Sequence, residues 1–262
     1  MTRRKFLKRT IATVGFAMAG IFGWSYGVEP RLIRVERVTV AIPSLPTHLQ
    51  GFTIGVLTDL HLGSIVSTEY IRSAAEKLAA EKPDLVVVAG DLISEDAAAA
   101  ELPRALEPVK GAFACLGNWD YYQPSIRSQK TVRMLVNAGV QAAPGLWIGG
   151  VDDCLLGEPS LEKAFAGAPE GAVRILLAHE PDYADRVAAR HRVALQISGH
   201  SHGGQVKVPF IGPLLLPPMG RRYVEGLHQA PNCQVYASRG VGVAHLPFRF
   251  LCPPEVTILE LV

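Results

Sequence analysis

A chain of 262 residues, 48% apolar and 19% charged, can bury a sizeable core and is not an intrinsically disordered polymer. Its formal charge of +2, with basic residues gathered at the N-terminus, leaves no basic stripe, so no nucleic-acid partner is expected. Four scattered cysteines (Cys115, Cys154, Cys233, Cys252) match no metal-knuckle or redox spacing and argue against a disulfide framework.

The first segment reads as an address and an anchor. Thr2-Arg3-Arg4-Lys5-Phe6-Leu7-Lys8 fits the twin-arginine export pattern S/T-R-R-x-F-L-K. Residues 10–28 carry no charge and include Ile11, Val14, Phe16, Met18, Ile21, Phe22 and Trp24, a run just long enough to cross a bilayer. The basic cluster ahead of it puts the N-terminal end in the cytoplasm and the globular part outside. Ala17-Met18-Ala19 resembles a cleavage site but falls in the middle of the apolar run, so an uncleaved anchor is expected. Residues 1–29 are therefore assigned as twin-arginine signal and transmembrane anchor, and 30–262 as one domain on the periplasmic or extracellular side. The alternative location is the cytoplasmic face of the inner membrane, and accidental paired arginines would leave the side open.

An edge strand is expected over 32–42, where Val38, Val40 and Ile42 alternate with polar neighbours before Pro43 and Pro46. Apolar or β-branched runs at 52–57, 85–89, 112–116, 175–178 and 193–197 read as buried strands. Between the first two, Thr68 is the expected N-cap of a helix with Ile71, Ala74, Ala75, Leu78 and Ala79 on one face. Pro83 stops it. Further helices are expected at 97–106, 125–137, 161–166 and 182–189. After His202 the pattern turns to strands at 206–208, 233–238 and 256–261, joined by Gly- and Pro-rich turns. An alternating first half and a strand-rich second half imply an α/β fold of two packed sheets flanked by helices.

Five polar clusters follow the five buried strands in order: Asp59-Leu60-His61, Gly90-Asp91, Gly117-Asn118, His179-Glu180 and Gly199-His200-Ser201-His202. Asp59 and His61, like His200 and His202, are two apart and can bend toward one ion at a strand end. A single D-x-H or H-x-H is more often a surface loop than a ligand set. Five such clusters after five strands point to a metal centre. Carboxylate and imidazole ligands suit manganese, iron or zinc, and the lack of thiolates argues against a purely structural zinc site.

The series D-x-H, G-D, G-N, H, G-H-x-H resembles the calcineurin-like metallophosphoesterase family over residues 53–202. The likeness is closer to a membrane-anchored bacterial branch that includes a twin-arginine-exported phosphodiesterase of Bacillus. It is carried by His179-Glu180-Pro181-Asp182, Gly203-Gly204-Gln205, Ser238-Arg239-Gly240 and Pro253-Pro254-Glu255. The resemblance implies a four-layer sandwich of two mixed β-sheets flanked by helices, with two divalent metal ions. It assigns Asp59, His61 and His202 to one ion, and Asn118, His179 and His200 to the other. Asp91 bridges them, and Asp91, Asn118 and His200 also count as catalytic. Two cations about 4 Å apart can share a hydroxide that attacks phosphorus in line.

One position departs from that family's pattern. Where most members read G-N-H-D/E, this chain has Gly117-Asn118-Trp119-Asp120. An indole can donate a hydrogen bond but cannot release a proton at ordinary pH. Diphosphates and activated phosphodiesters, which need little protonation of the leaving group, are therefore the expected substrates. Trp119 is a candidate substrate contact, stacking on a nucleobase, or else a packing residue at the rim. The apolar loop 208–219, followed by Arg221 and Arg222, reads as a lip toward bilayer or acyl chains, its arginines meeting phosphate, or else as a loop packed on the sheet. His48, His191, His228 and His245 read as surface or packing residues. Asp152 and Asp153 read as turn residues or as partners that orient a ligand histidine. The expected function is two-metal hydrolysis of an envelope or lipid-linked phosphodiester or diphosphate, with the membrane and the twin-arginine machinery as partners. The alternatives are a UDP-2,3-diacylglucosamine diphosphatase of lipid A synthesis and a catalytically retired metal-binding scaffold.

Overall fold

The computed structural model describes residues 2–262, and Met1 of the expected leader lies outside them. Helix α1, Arg3–Gly23, starts at the N-cap Thr2, whose hydroxyl accepts from Lys5 N, and buries none of its residues. One π-helical turn, Trp24–Val28, continues it and meets the body of the protein. There Ser25 and Glu29 are buried, and the Glu29 carboxylate accepts from the Trp24 indole and from Cys252 N. The helical run Arg3–Arg31 is long and apolar enough to cross a membrane.

The strands, in chain order, are β1 (Arg34–Val40), β2 (Thr53–Leu57), β3 (Leu85–Ala89), β4 (Phe113–Cys115), β5 (Arg133–Met134), β6 (Ala138–Ala143) and β7 (Leu146–Gly150). There follow β8 (Val173–Leu177), β9 (Val193–Ser198), β10 (Lys207–Val208), β11 (Gly212–Pro213), β12 (Gly226–Gln229), β13 (Gln234–Ala237) and β14 (Glu255–Leu261). One six-stranded sheet has the order β1-β14-β2-β3-β4-β5 and the other β12-β13-β9-β8-β7-β6, while β10 and β11 pair as a separate hairpin. Strands β2 to β5 are parallel, and β14 runs antiparallel to β2. In the second sheet β7, β8, β9 and β13 are parallel, with antiparallel β6 and β12 at its edges.

Alternation along the strands builds the layers. Ile54, Val56, Val87 and Ala89 meet Ile175, Leu177, Leu195 and Ile197 between the sheets. On the other face of the first sheet, Ile71, Ala74, Ala75 and Leu78 of α2 (Thr68–Ala80) cover Leu57, Val88 and Ala114. The outer face of the second sheet is covered thinly by α4 (Leu161–Ala164), with Phe165, Tyr183 and Val187 over Leu176 and Val235. The result is two mixed sheets with flanking helices. All four cysteines are free thiols.

Several local expectations change. The cap of α2 is Ser67, whose hydroxyl accepts from Tyr70 N, and not Thr68. The expected helix 97–106 is a 3-10 turn, Asp96–Glu101, followed by the short α3 (Leu102–Ala105), with Pro103 in the first turn where no N–H is needed. No helix forms over 125–137: after the 3-10 turn Pro124–Ser128, the Gln129 side chain accepts from Thr131 N and the chain turns into β5. Val132, Met134 and Val136 then face the α2 side while Leu135 joins the inter-sheet core, a period-2 arrangement that no helix allows. Over 182–189 the chain forms the 3-10 turn Pro181–Arg186, because the Asp182 carboxylate is taken by the backbone N–H groups of Arg221, Arg222 and Tyr223.

The segment between β13 and β14 has no regular structure and is organised by one side chain. Arg249 is fully buried and donates to the carbonyls of Arg239, Gly240, Gly242 and Cys252. Replacing it with Met would strand these acceptors away from water, a loss of about 3 kcal/mol or more. Denaturant unfolding of Arg249→Met in detergent should show that loss; a change under about 1 kcal/mol would mean that water replaces the guanidinium.

Candidate metal centre

The carboxyl ends of β2, β3, β4, β8 and β9 converge, three from one sheet and two from the other. Beyond the strand ends the backbones stay tied: Asp59 N donates to Gly90 O (3.1 Å), His61 N to Asp91 O (3.0 Å) and Gly199 N to His179 O (3.0 Å). Asp59, His61, Asp91, His200 and His202 all have left-handed backbones, with φ of 51°, 49°, 52°, 66° and 50°. Non-glycine residues adopt this region at a cost of about 1–3 kcal/mol each and cluster in it at functional sites. Two glycines make the approach feasible. A Cβ at Gly90 would sit on the His179 imidazole, and one at Gly199 on Asp59 Oδ2.

Two groups of side chains, all buried, offer ligand atoms that converge: Asp59 with His61 and His202, and Asp59 with Asp91 and His179. His202 Nε2 lies 3.3 Å from Asp59 Oδ1 and 3.1 Å from His61 Nε2. Asp91 Oδ2 reaches a histidine of each group, 3.5 Å from His61 Nε2 and 3.2 Å from His179 Nε2. Its other oxygen accepts from Trp119 N (2.9 Å). Asp59 Oδ1 accepts from His200 N (2.9 Å) and so joins the two sheets.

Three histidines have their far nitrogen occupied. His61 Nδ1 meets Ser94 Oγ (3.1 Å), His179 Nδ1 meets Ala89 O (2.8 Å) and His200 Nε2 meets Pro218 O (2.8 Å). A ring that donates to such an oxygen keeps the other nitrogen's lone pair for a ligand, the arrangement usual around metal-binding histidines. Asp59 Oδ2 and Asn118 Oδ1 are buried with no hydrogen-bond partner among the described residues. Stranded acceptors of this kind fit a divalent cation.

The electrostatics agree. Burial pushes the Asp59 carboxyl up to about 6, against the pull of His179. At Asp91 burial is outweighed by His179, with help from His61 and His200, and the carboxyl is held well below the usual range. At His179 burial is outweighed by Asp91 and Asp59, which hold the imidazole well above its ordinary value. Burial brings His61 and His200 down to about 4 and His202 well below its usual value. His61, His200 and His202 are thus neutral and ready to coordinate, whereas His179, held by the two carboxylates, must give up its proton to do so.

His200 packs against His179 with ring centroids 5.0 Å apart. Trp119 stands edge-on to His61 (5.2 Å, 86°). Its other neighbour is His245, whose ring centroid lies 5.1 Å away and which comes from the loop organised by Arg249. Nothing in the sequence around His245 marked it, because that loop reaches the site only through the fold. Arg222 pairs with Asp185 (2.7 Å), and Arg221 is exposed. Asp153 and Glu180 are both fully buried, and Glu180 accepts from Cys154 N (3.1 Å). Asp120 is a positioning residue that sequence reasoning passed over. Its carboxylate is buried and accepts from Leu92 N (2.9 Å), Ile93 N (3.1 Å) and Gly117 N (3.0 Å), locking the Asp91 and Asn118 turns together. The signal was present, an acid two residues after a candidate ligand.

Residues 52–204 match the family profile described as calcineurin-like phosphoesterase. Over its full length the chain is 32% identical to YkuE, an uncharacterized metallophosphoesterase of Bacillus subtilis, covering 98% of that protein. It is 31% identical to the phosphodiesterase YaeI of Escherichia coli, covering 100% of it. It is also 28% identical, over 98% of its own length and 63% of the relative's, to a Danio rerio transmembrane protein with metallophosphoesterase domain.

Because a side chain at position 199 would occupy the place of Asp59 Oδ2, Gly199→Ala should weaken metal binding by about tenfold or more while leaving the fold intact. Metal titration followed alongside circular dichroism checks this, and undiminished affinity would contradict the arrangement.

Proposed function

Because the chain belongs to the calcineurin-like phosphoesterase family and is a metal-dependent phosphoesterase, we propose that it hydrolyses phosphodiester or diphosphate bonds in an envelope or lipid-linked substrate at a two-metal centre. The observation that carries this reading is the pair of buried ligand groups that share Asp59. Asp59, His61 and His202 would hold one ion, Asn118, His179 and His200 the other, with Asp91 serving both. When bound, two divalent ions (manganese, iron or zinc) would supply a nucleophilic oxygen near neutral pH and offset charge on the entering and leaving oxygens.

The protein's own groups set the geometry of that chemistry. Trp119 N and His61 restrain Asp91, Pro218 O fixes the His200 ring, and Asp120 holds two of the ligand turns in register. Such pre-organisation removes reorganisation cost when charge develops at phosphorus. Keeping this many strained, buried, ligand-type residues speaks against a retired scaffold.

The apolar helix and the transmembrane-named relative support membrane anchoring. We assign residues 1–29 to the anchor and 30–262 to the catalytic domain. Arg3 and Arg4 ahead of the apolar run support export by the twin-arginine machinery and a catalytic domain outside the cytoplasm. That side disfavours a cytoplasmic lipid A precursor as substrate.

Trp119 supports selectivity for good leaving groups, since it cannot release a proton where an alkoxide would need one. A second reading is favoured by His245, an imidazole that meets the Trp119 ring and could protonate a leaving oxygen from another loop.

At saturating manganese the wild type should hydrolyse bis-p-nitrophenyl phosphate, and His61→Ala should lose at least about 10²-fold. Full activity in a metal-depleted His61→Ala would contradict the reading. General acid catalysis contributes about 10²–10⁴-fold, so alkyl phosphodiesters should lag by that order and be unaffected by His245→Gln. If that variant selectively loses alkyl turnover, His245 is the proton donor and the selectivity argument from Trp119 falls.

A further inference from the structure

The hairpin of β10 and β11 projects from the body with its apolar side chains in the open. Phe210 is 109% exposed, Ile211 75%, Leu214 55% and Leu215 84%, and Leu246, from the loop between β13 and β14, is 60% exposed. A cluster of large exposed hydrophobic residues marks an interaction surface.

Its neighbours identify the partner. Val206 bridges to Phe250, Lys207 N donates to Phe250 O (2.9 Å), and the Gln205 amide donates to the carbonyls of Ala244 and Leu246. Hairpin and loop therefore form one unit. The loop in turn presses Phe248 against Phe22 and Tyr26 at the end of α1, with ring centroids 5.1 and 5.5 Å apart, and Arg249 N donates to Ser25 O. The hairpin is thus continuous with the point where the apolar helix leaves the body. Trp24 and Tyr26 are exposed there, amphipathic rings of the kind found at membrane boundaries. Residues 208–219 include no charged side chain, and the exposed Arg221 and Arg222 follow directly. An apolar tip continuous with that boundary, edged by Arg221 and by the Arg222–Asp185 pair, matches a bilayer surface better than a protein surface. At its other end the hairpin leads into Pro218, whose carbonyl holds the His200 ring, so the apolar tip and the candidate metal centre share a wall.

We propose that the β10–β11 hairpin, with Leu246, dips into the bilayer into which α1 runs and holds the mouth of the metal centre at headgroup level. Phosphoesters presented by the membrane are then preferred to the same bond in solution; this substrate half rests on the phosphoesterase reading above.

The test uses the full chain reconstituted in vesicles of phosphatidylethanolamine and phosphatidylglycerol with brominated acyl chains. In a Cys154→Ser background, bimane is placed at Phe210→Cys, Leu215→Cys and, as a control at the opposite ends of the strands, Lys110→Cys. Bromine should quench the first two and spare the third. Labels at 210 and 215 that escape bromine and are fully open to aqueous iodide would overturn the docking. Phe210→Ser/Leu215→Ser should hydrolyse soluble bis-p-nitrophenyl phosphate normally, yet lose about tenfold on a diacylglycerol p-nitrophenyl phosphate in the same vesicles. An unchanged ratio of the two rates would overturn membrane delivery. A wild type inert on both substrates would sink the phosphoesterase reading, while the quenching would still decide the docking.

Discussion

The centre of this molecule is the buried carboxylate of Asp59, where the strand ends of two packed sheets come together. Its Oδ1 accepts the backbone N–H of His200, delivered by the second sheet, while its own strand belongs to the first. The same oxygen lies 3.3 Å from His202 and 3.9 Å from His179, so both candidate ligand groups are built around it. A carboxylate so deeply buried is costly unless something positive answers it. Here that demand is met by imidazoles and, in the family's chemistry, by divalent ions.

Much of the local architecture follows from bringing that carboxylate and its neighbours together. Gly199 leaves room for it, five candidate ligand residues accept left-handed backbones, and Asp120 ties the turns after β3 and β4 to one another. Arg249 does comparable work from the opposite side, folding the loop between β13 and β14 so that His245 arrives at Trp119 and Phe248 reaches α1. The apolar N-terminal helix, the exposed hairpin and the candidate metal centre are consequently linked through short, continuous contacts.

How far the sequence can be read depends on how local the physics is. The five strands before the polar clusters were legible because each is a short buried run, and the candidate cluster of Asp59, His61, Asp91, His179 and His202 was legible because these residues follow those runs at once. The α2 face was legible through its 3.6 period, whereas its cap slipped by one residue because Ser67 and Thr68 are chemically equivalent candidates. Segment 125–137 misled because its apolar spacing suits a helix until Gln129 closes a turn and sends Val132 and Leu135 to opposite sides of a sheet. Strands β6, β7 and β12 were missed, being rich in Gly and Ala or only half-buried. His245 was legible only as a surface or packing residue and Arg249 not at all, since their partners lie more than a hundred positions away or in a carbonyl cage that only the folded loop creates.

The most direct test of the central claim is a count of metal ions per folded chain. Purified full-length protein equilibrated with manganese or zinc and freed of excess by gel filtration should retain two ions per chain, and hydrolysis should rise with occupancy of the second. A chain that cleaves phosphodiesters at its full rate with one ion or none would contradict a two-metal centre built around Asp59.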